Sequence, residues 1–273
     1  MSGSLLVLGA CSAEDTAQIR RLAMPEPATE EAPAIYDLWQ GAWLAAMIVG
    51  VLVWGLIGYA VIRYRRRSAD EIPVQTRYNL PIEIFYTVAP VIMVIVFFFF
   101  TVDAQNKVLA NPTPDRTITV VGQQWSWTFN YAEDAEPAED DTENWVHFVG
   151  TPAEAPTLVL PLGEKVRINL RSPDVIHSFW VPAFLFKMDI VPGRDNYFTV
   201  TPSREGTFVG KCAELCGAYH SRMLFNVDVV SPDEYDDYLA DLESQGSTGL
   251  ITGGADADTQ IGLDDEYDTG DDE

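Results

Sequence analysis

Apolar positions in this chain follow two regimes. Residues 41–62 form a run of 22 positions without a charge, and residues 84–102 a second run of 19 that closes on Phe97-Phe-Phe-Phe100. At about 1.5 Å of rise per residue, each run as a helix matches a hydrocarbon core of about 30 Å. Two buried helices of a soluble protein would also be apolar, but uncharged runs of this length disfavour that reading. Pro90 lies inside the second run. A membrane helix tolerates such a proline when neighbours satisfy the freed carbonyl. Between the runs, Arg63, Arg65, Arg66, Arg67 and Arg77 stand against Asp70 and Glu71. The positive-inside rule puts that loop in the cytoplasm and both termini outside the plasma membrane.

From about Asp115 the period shortens. β-rich runs recur at residues 116–121, 125–131, 145–149, 157–160, 165–170, 197–200, 207–209 and 224–230. Several alternate apolar with polar positions, as in Arg167-Ile-Asn-Leu-Arg171 and Phe225-Asn-Val-Asp-Val229. Turn signals separate them, among them Pro161-Leu-Gly163, Ser172-Pro-Asp174 and Pro192-Gly-Arg-Asp195. Many short strands between turns predict an all-β sandwich or barrel. The acidic residues 133–143 read as an exposed loop. Ser231-Pro-Asp-Glu234 carries the serine, proline and glutamate of a helix start, so a short helix to about Glu243 follows. The chain thus divides into a signal segment (1–11), an outer linker (12–37) and a two-helix transmembrane hairpin (38–103). A β-domain (104–243) and an acidic disordered tail (244–273) complete it.

Charge separates these parts further. The formal net charge is −24, and residues 103–273 hold 32 acids against 10 bases. Such a surface excludes nucleic acid, which needs a basic footprint. It suits solubility in high salt, a halophile-like trait, and it also suits the steering of a basic soluble partner. Only Cys11, Cys212 and Cys216 are present, so there is no disulfide framework. Leu8-Gly-Ala-Cys11 resembles a lipobox, with cleavage before Cys11 and its acylation, although the apolar stretch before it is short and lacks a basic residue.

The chemistry gathers in Cys212-Ala-Glu214-Leu-Cys216-Gly-Ala-Tyr219-His220-Ser-Arg222-Met223, with His177 thirty-five residues upstream of Cys212. A loop between two strands can point the two thiols, His220 and Met223 inward. Alone in its apolar run, His177 would read as a packed residue; its claim as a ligand rests on the other four. Thiolate and thioether are soft ligands that suit copper. A mononuclear blue-copper site uses one cysteine, and structural zinc has no need of Met223. A metal-free Cys212–Cys216 disulfide is the plainer alternative. A dinuclear copper centre uses every ligand present, and two bridging thiolates suit an electron relay.

The segment Cys-x-Glu-x-Cys-Gly-x-x-His-x-x-Met closely resembles the copper A loop of subunit II of haem-copper oxidases of the cytochrome c type. The resemblance takes in the helix hairpin, the β-rich domain and Asp174-Val-Ile-His177-Ser, over roughly residues 35–243. It implies a cupredoxin-like sandwich outside the membrane, docked on oxidase subunit I. It also implies His177, Cys212, Cys216, His220 and Met223 as copper ligands. Glu214 would complete the copper shell through its carbonyl and reach a magnesium ion shared with subunit I through its carboxylate. Gln124-Trp125-Ser-Trp127-Thr-Phe-Asn-Tyr131 resembles the family's aromatic strip, which makes Trp125 the electron entry; alternation alone would pack Trp125 and Trp127 on one sheet face. Ile82-Glu83-Ile-Phe-Tyr-Thr-Val-Ala-Pro90 resembles the start of the family's second helix, with Glu83 at the entrance of a proton path. The plain alternative for Glu83 is a charge marking the helix end. The implied role is an electron-input subunit, fed by a soluble cytochrome c or a small blue-copper protein. Oxygen reduction and proton pumping belong to subunit I. Tyr219 and Arg222 depart from the family's usual spacers. A quinol-oxidase subunit lacks the copper ligands, and a nitrous-oxide reductase lacks the membrane hairpin.

Overall fold

The computed structural model describes residues 13–72, 75–138 and 142–254. Cys11 and its lipobox lie outside them. The chain forms two compact units, one over Ala34–Lys107 and one that joins the residues up to Pro33 with those from Val108 onward.

The first unit holds two long helices. Helix α1 (Ala13–Arg20) precedes it, and α2 (Ala32–Arg63) and α3 (Leu80–Val108) make it up. At 32 and 29 residues, α2 and α3 extend about 48 and 44 Å, more than a hydrocarbon core needs. Their apolar side chains point outward, with Trp54 74% and Phe98 68% exposed, as lipid-facing residues do. Helix α3 runs through Pro90. Its start is capped twice: Asn79 Oδ1 accepts from the Ile82 amide, and Glu83 Oε1 accepts from the Asn79 amide at 2.9 Å. The helix-end role read for Glu83 is therefore filled.

The second unit is a sandwich of two five-stranded sheets, ordered β3-β2-β1-β5-β8 and β4-β10-β9-β6-β7. The first comprises β1 (Arg116–Gln123), β2 (Ser126–Ala132), β3 (Trp145–Val149), β5 (Val166–Arg171) and β8 (Asn196–Val200). The second comprises β4 (Thr157–Pro161), β6 (His177–Val181), β7 (Phe186–Ile190), β9 (Gly206–Cys212) and β10 (Leu224–Val230). Pairing is antiparallel except for β1 with β5 and β10 with β4. This is the cupredoxin-like architecture that the resemblance implies. Period-two alternation sends Trp127, Phe129 and Tyr131 from β2 into the core, where Phe225 stacks on Phe179 at 4.8 Å and meets Trp127 at 5.0 Å. Helix α4 (Pro232–Ser244) starts at the anticipated capping box, with Ser231 and Glu234 bonding each other's backbone amides.

Three expectations change. Strands β6 and β7 were not anticipated in the segment 177–190, although its Phe186-Lys-Met-Asp-Ile190 alternates apolar with charged residues. A turn at Pro182–Phe184, ended by Leu185 in the left-handed region at φ 55°, splits it. The linker at 12–37 instead contains α1 and a short strand-like stretch, with Ala28 accepting from the Ser203 amide and Glu30 donating to Thr201. The tail expected over 244–273 is ordered through residue 254. Thr248 bridges to Val146 on β3, and Gly249 donates to Trp145 O at 2.7 Å.

Candidate metal centre

Backbone register brings the candidate ligands together. On β6, Phe179 pairs with Cys212 at the end of β9, which sets His177 beside the outgoing loop. The Ala213 amide donates to Ser178 O and the Cys212 amide to Met223 O, both at 3.0 Å, so the loop from β9 to β10 closes on itself above the core. Cys216 lies on the loop, His220 opens a short turn, and Met223 leads into β10.

The sulfurs of Cys212 and Cys216 stand 3.9 Å apart and both cysteines are free and buried. That separation is nearly twice a disulfide bond, which removes the disulfide alternative from this structure. His177 Nδ1 lies 3.8 Å from Cys212 Sγ, and His220 Nδ1 lies 3.6 Å from Cys216 Sγ. Glu214 O is 3.2 Å from Cys212 Sγ, and Met223 Sδ is 3.8 Å from Cys216 Sγ. Each thiol therefore has its own imidazole and one weaker donor. The donor atoms of His177, Cys212 and Cys216 all lie within 4.8 Å of one another. Two ligands that share a tetrahedral ion at about 2.3 Å each lie about 3.8 Å apart, so the set fits soft metal ions. A His/Cys/Cys cluster in such a sandwich is consistent with copper binding.

The surroundings fix these ligands. His177 is fully buried, and Asp174 Oδ1 accepts from its Nε2 at 2.9 Å. An ionised carboxylate only accepts, so Nε2 carries the proton and the Nδ1 lone pair faces Cys212. Partial burial pushes the Asp174 carboxyl up. Hydrogen bonds from His177 and from the Gln124 and Val175 amides outweigh this and bring it to about 2. Burial also pushes the Cys212 thiol up, but hydrogen bonds at His177, Glu214 and Ser178 bring it down to about 7. Cys216 moves the other way, to about 12, through burial and through the charge on Cys212. Two adjacent thiols resist holding two negative charges, and cations between them would remove that resistance. The Gln124 side chain donates to Cys216 O at 2.5 Å, and the Trp127 indole to Met223 O at 3.4 Å.

Trp125 departs from the alternation argument. It lies in the turn before β2 and is half-buried, whereas Trp127 is fully buried in the core. Its ring meets Tyr219 edge-on at 4.9 Å, and Arg222 lies over Tyr219 at 5.6 Å. Gly217 allows this approach, since a Cβ there would stand 3.0 Å from the indole. Tyr219, read as a spacer, thus meets Trp125 edge-on, and Arg222, read as another, covers Tyr219. No periodic signal announces that contact. Glu214 keeps its carboxylate exposed while its carbonyl turns to Cys212. Glu83 belongs to the helical unit, far along the chain from this cluster. Asp174 and Gln124 were not singled out as site residues; only their neighbours in the motifs pointed to them.

Comparisons with known proteins find relatives over most of the chain. The family described as Cytochrome C oxidase subunit II, periplasmic domain, matches residues 116–230, and its transmembrane-domain counterpart matches residues 17–103. A probable cytochrome c oxidase subunit 2 of Streptomyces avermitilis is 51% identical over 264 residues, covering 86% of this chain and 83% of that one. A cytochrome c oxidase subunit 2 of Mycobacterium tuberculosis is 36% identical over 290 residues, covering 88% and 79%. The solved periplasmic domain of subunit II of cytochrome oxidase from Bradyrhizobium japonicum is 29% identical, at a TM-score of 0.42, covering 49% of this chain and 97% of that one.

Proposed function

The chain belongs to the cytochrome c oxidase subunit II family, and from that premise we propose that it is the electron-input subunit built around a dinuclear copper A centre. The observation that carries this reading is the paired donor set, one thiol, one imidazole and one weaker donor on each side of the 3.9 Å sulfur pair. His177, Cys212, Glu214 through its carbonyl, Cys216, His220 and Met223 would hold the metal. Copper held by these soft ligands supplies one-electron transfer with little nuclear rearrangement.

The protein groups supply the rest. Asp174 orients His177 and keeps its proton on Nε2. Gln124 and Trp127 hold the Cys216 and Met223 carbonyls, which would restrain the loop that carries the ligands. Trp125 presents its ring at the surface as the entry point for a soluble cytochrome c or a small blue-copper protein, and the acidic domain steers a basic carrier toward it. Electrons leave for haem in oxidase subunit I, where oxygen is reduced and protons are pumped. The exposed Glu214 carboxylate is a hard oxygen ligand and suits a magnesium ion shared with that subunit. Glu83 stands at the entrance of a proton path, at a cytoplasmic end with the β-domain outside, a reading the arginines between α2 and α3 support.

Stopped-flow reduction of the copper-loaded full chain by a basic carrier tests the entry. Trp125→Gln is expected to slow reduction by tenfold or more while the optical spectrum of the copper stays unchanged. Equal rates in the two proteins would remove the role assigned to Trp125.

A further inference from the structure

The described residues after α4 run across the outer face of the first sheet as far as Gly254, which bonds Gln123. His147 on β3, Asn130 on β2 and Gln123 on β1 belong to neighbouring strands, in the order β3-β2-β1. Asn130 pairs with His147 across β2 and β3 and with Thr119 across β1 and β2, and Gln123 follows Thr119 by four residues. All three side chains therefore share one face.

Each binds the segment's backbone. His147 Nδ1 lies 2.9 Å from Gly249 O. Asn130 Oδ1 accepts from the Ile251 amide at 2.7 Å, and its Nδ2 donates back to Ile251 O at 2.9 Å. Gln123 Oε1 accepts from the Gly254 amide at 3.0 Å, and its Nε2 donates back to Gly254 O at 3.3 Å. Two carboxamides thus grip the segment as a neighbouring strand would. Gly253 sits at φ 86°, and a Cβ there would stand 2.8 Å from both Gln123 Oε1 and Pro173 Cγ.

Those two contacts lead directly to the ligands. Gln123 precedes Gln124, which holds Cys216 O and donates its amide to Asp174 Oδ2 at 2.7 Å. Pro173 precedes Asp174, which holds His177. We propose that residues 247–254 are a positioning strap, wedged at Gly253–Gly254 between the Gln124–Trp125 turn and the Asp174 turn, that keeps the two halves of the metal centre in register. Gln123 and Asn130 are its positioning residues. The assignment rests on the reading of the cluster as a copper centre, but the strap's mechanical effect exists without metal.

The test uses the full chain with three changes: truncation after Gly246, Gly253→Ala, and Gln123→Ala. Truncation after Gly254 is the control. Hydrogen exchange of the metal-free proteins is read over residues 122–126 and 172–178. Gln123→Ala removes both hydrogen bonds to Gly254, Gly253→Ala pushes Gln123 and Pro173 away, and the truncation removes every contact of the strap; each is expected to speed exchange there by about tenfold or more, and the control to leave it unchanged. After copper loading, the same variants should show an altered paramagnetic resonance spectrum and slower reduction by a basic carrier. Gln123→Ala and Gly253→Ala keep the rest of the strap, so they stand if the truncation fails to fold. Wild-type exchange at both turns in these point variants overturns the proposal. A wild-type chain that binds no copper would sink the copper reading, while the exchange result would still decide the strap.

Discussion

Asp174 shows how much of the centre depends on a single acceptor-only group. Two donors, His177 Nε2 and the Gln124 amide, end on its two carboxylate oxygens at 2.9 and 2.7 Å. Asn has one oxygen and one NH2 group, so it can receive only one of them. Asp174→Asn is therefore expected to lower copper affinity 10- to 100-fold in a competitive titration, the usual effect of losing the group behind a ligating histidine. Unchanged affinity would show that the loop holds His177 unaided. The proposed ligands on the loop stood out in the sequence, since thiol, imidazole and thioether occur together at close spacing. Their partners were not. Gln124 and Asp174 are 50 residues apart, and ordinary polar residues reveal a shared hydrogen bond only once the strands are paired. The packing alternative for Trp125 fails for a related reason: alternation holds within a strand, and Trp125 lies one position before β2 begins.

At the scale of elements, local chemistry was the better guide. Helix α4 was anticipated from Ser231, Pro232 and Glu234 alone, and all three act as a capping box should. Glu234 accepts from the Ser231 hydroxyl at 2.8 Å and from its amide at 3.0 Å, and these bonds hold its carboxyl below the ordinary glutamate value of 4.5. A depressed folded-state value stabilises above the unfolded value, and the contribution is lost as pH falls through the folded one. Ser231→Ala should destabilise the β-domain by about 1 kcal/mol at neutral pH. It should also flatten the loss of stability just below pH 4.5, followed by urea unfolding and tryptophan fluorescence. An unchanged acid slope would contradict the cap's part in it. Elements whose order comes from elsewhere were missed. Residues 247–254 have the Gly, Ser and Thr content of a free tail, and they are ordered by Gln123, Asn130 and His147, more than 100 positions earlier. Strands β6 and β7 were missed in part because Leu185, which turns the chain between them, is not a residue that signals a turn.

Across the whole chain, two apolar helices and an acidic β-domain divide membrane anchoring from electron chemistry. The net charge of −24 belongs almost wholly to the part that carries the cluster. Hydropathy made both spans plain, and turn spacing made the sandwich plain, because each depends on short-range periodicity. The central claim is narrower: two thiolates hold two copper ions that act as one. Loading the full chain with copper and recording its paramagnetic resonance spectrum with a metal count tests it most directly. Two coppers per chain, with one unpaired electron shared equally between both nuclei, is the predicted result. A single copper with its electron confined to one nucleus, or a chain that retains none, would contradict it.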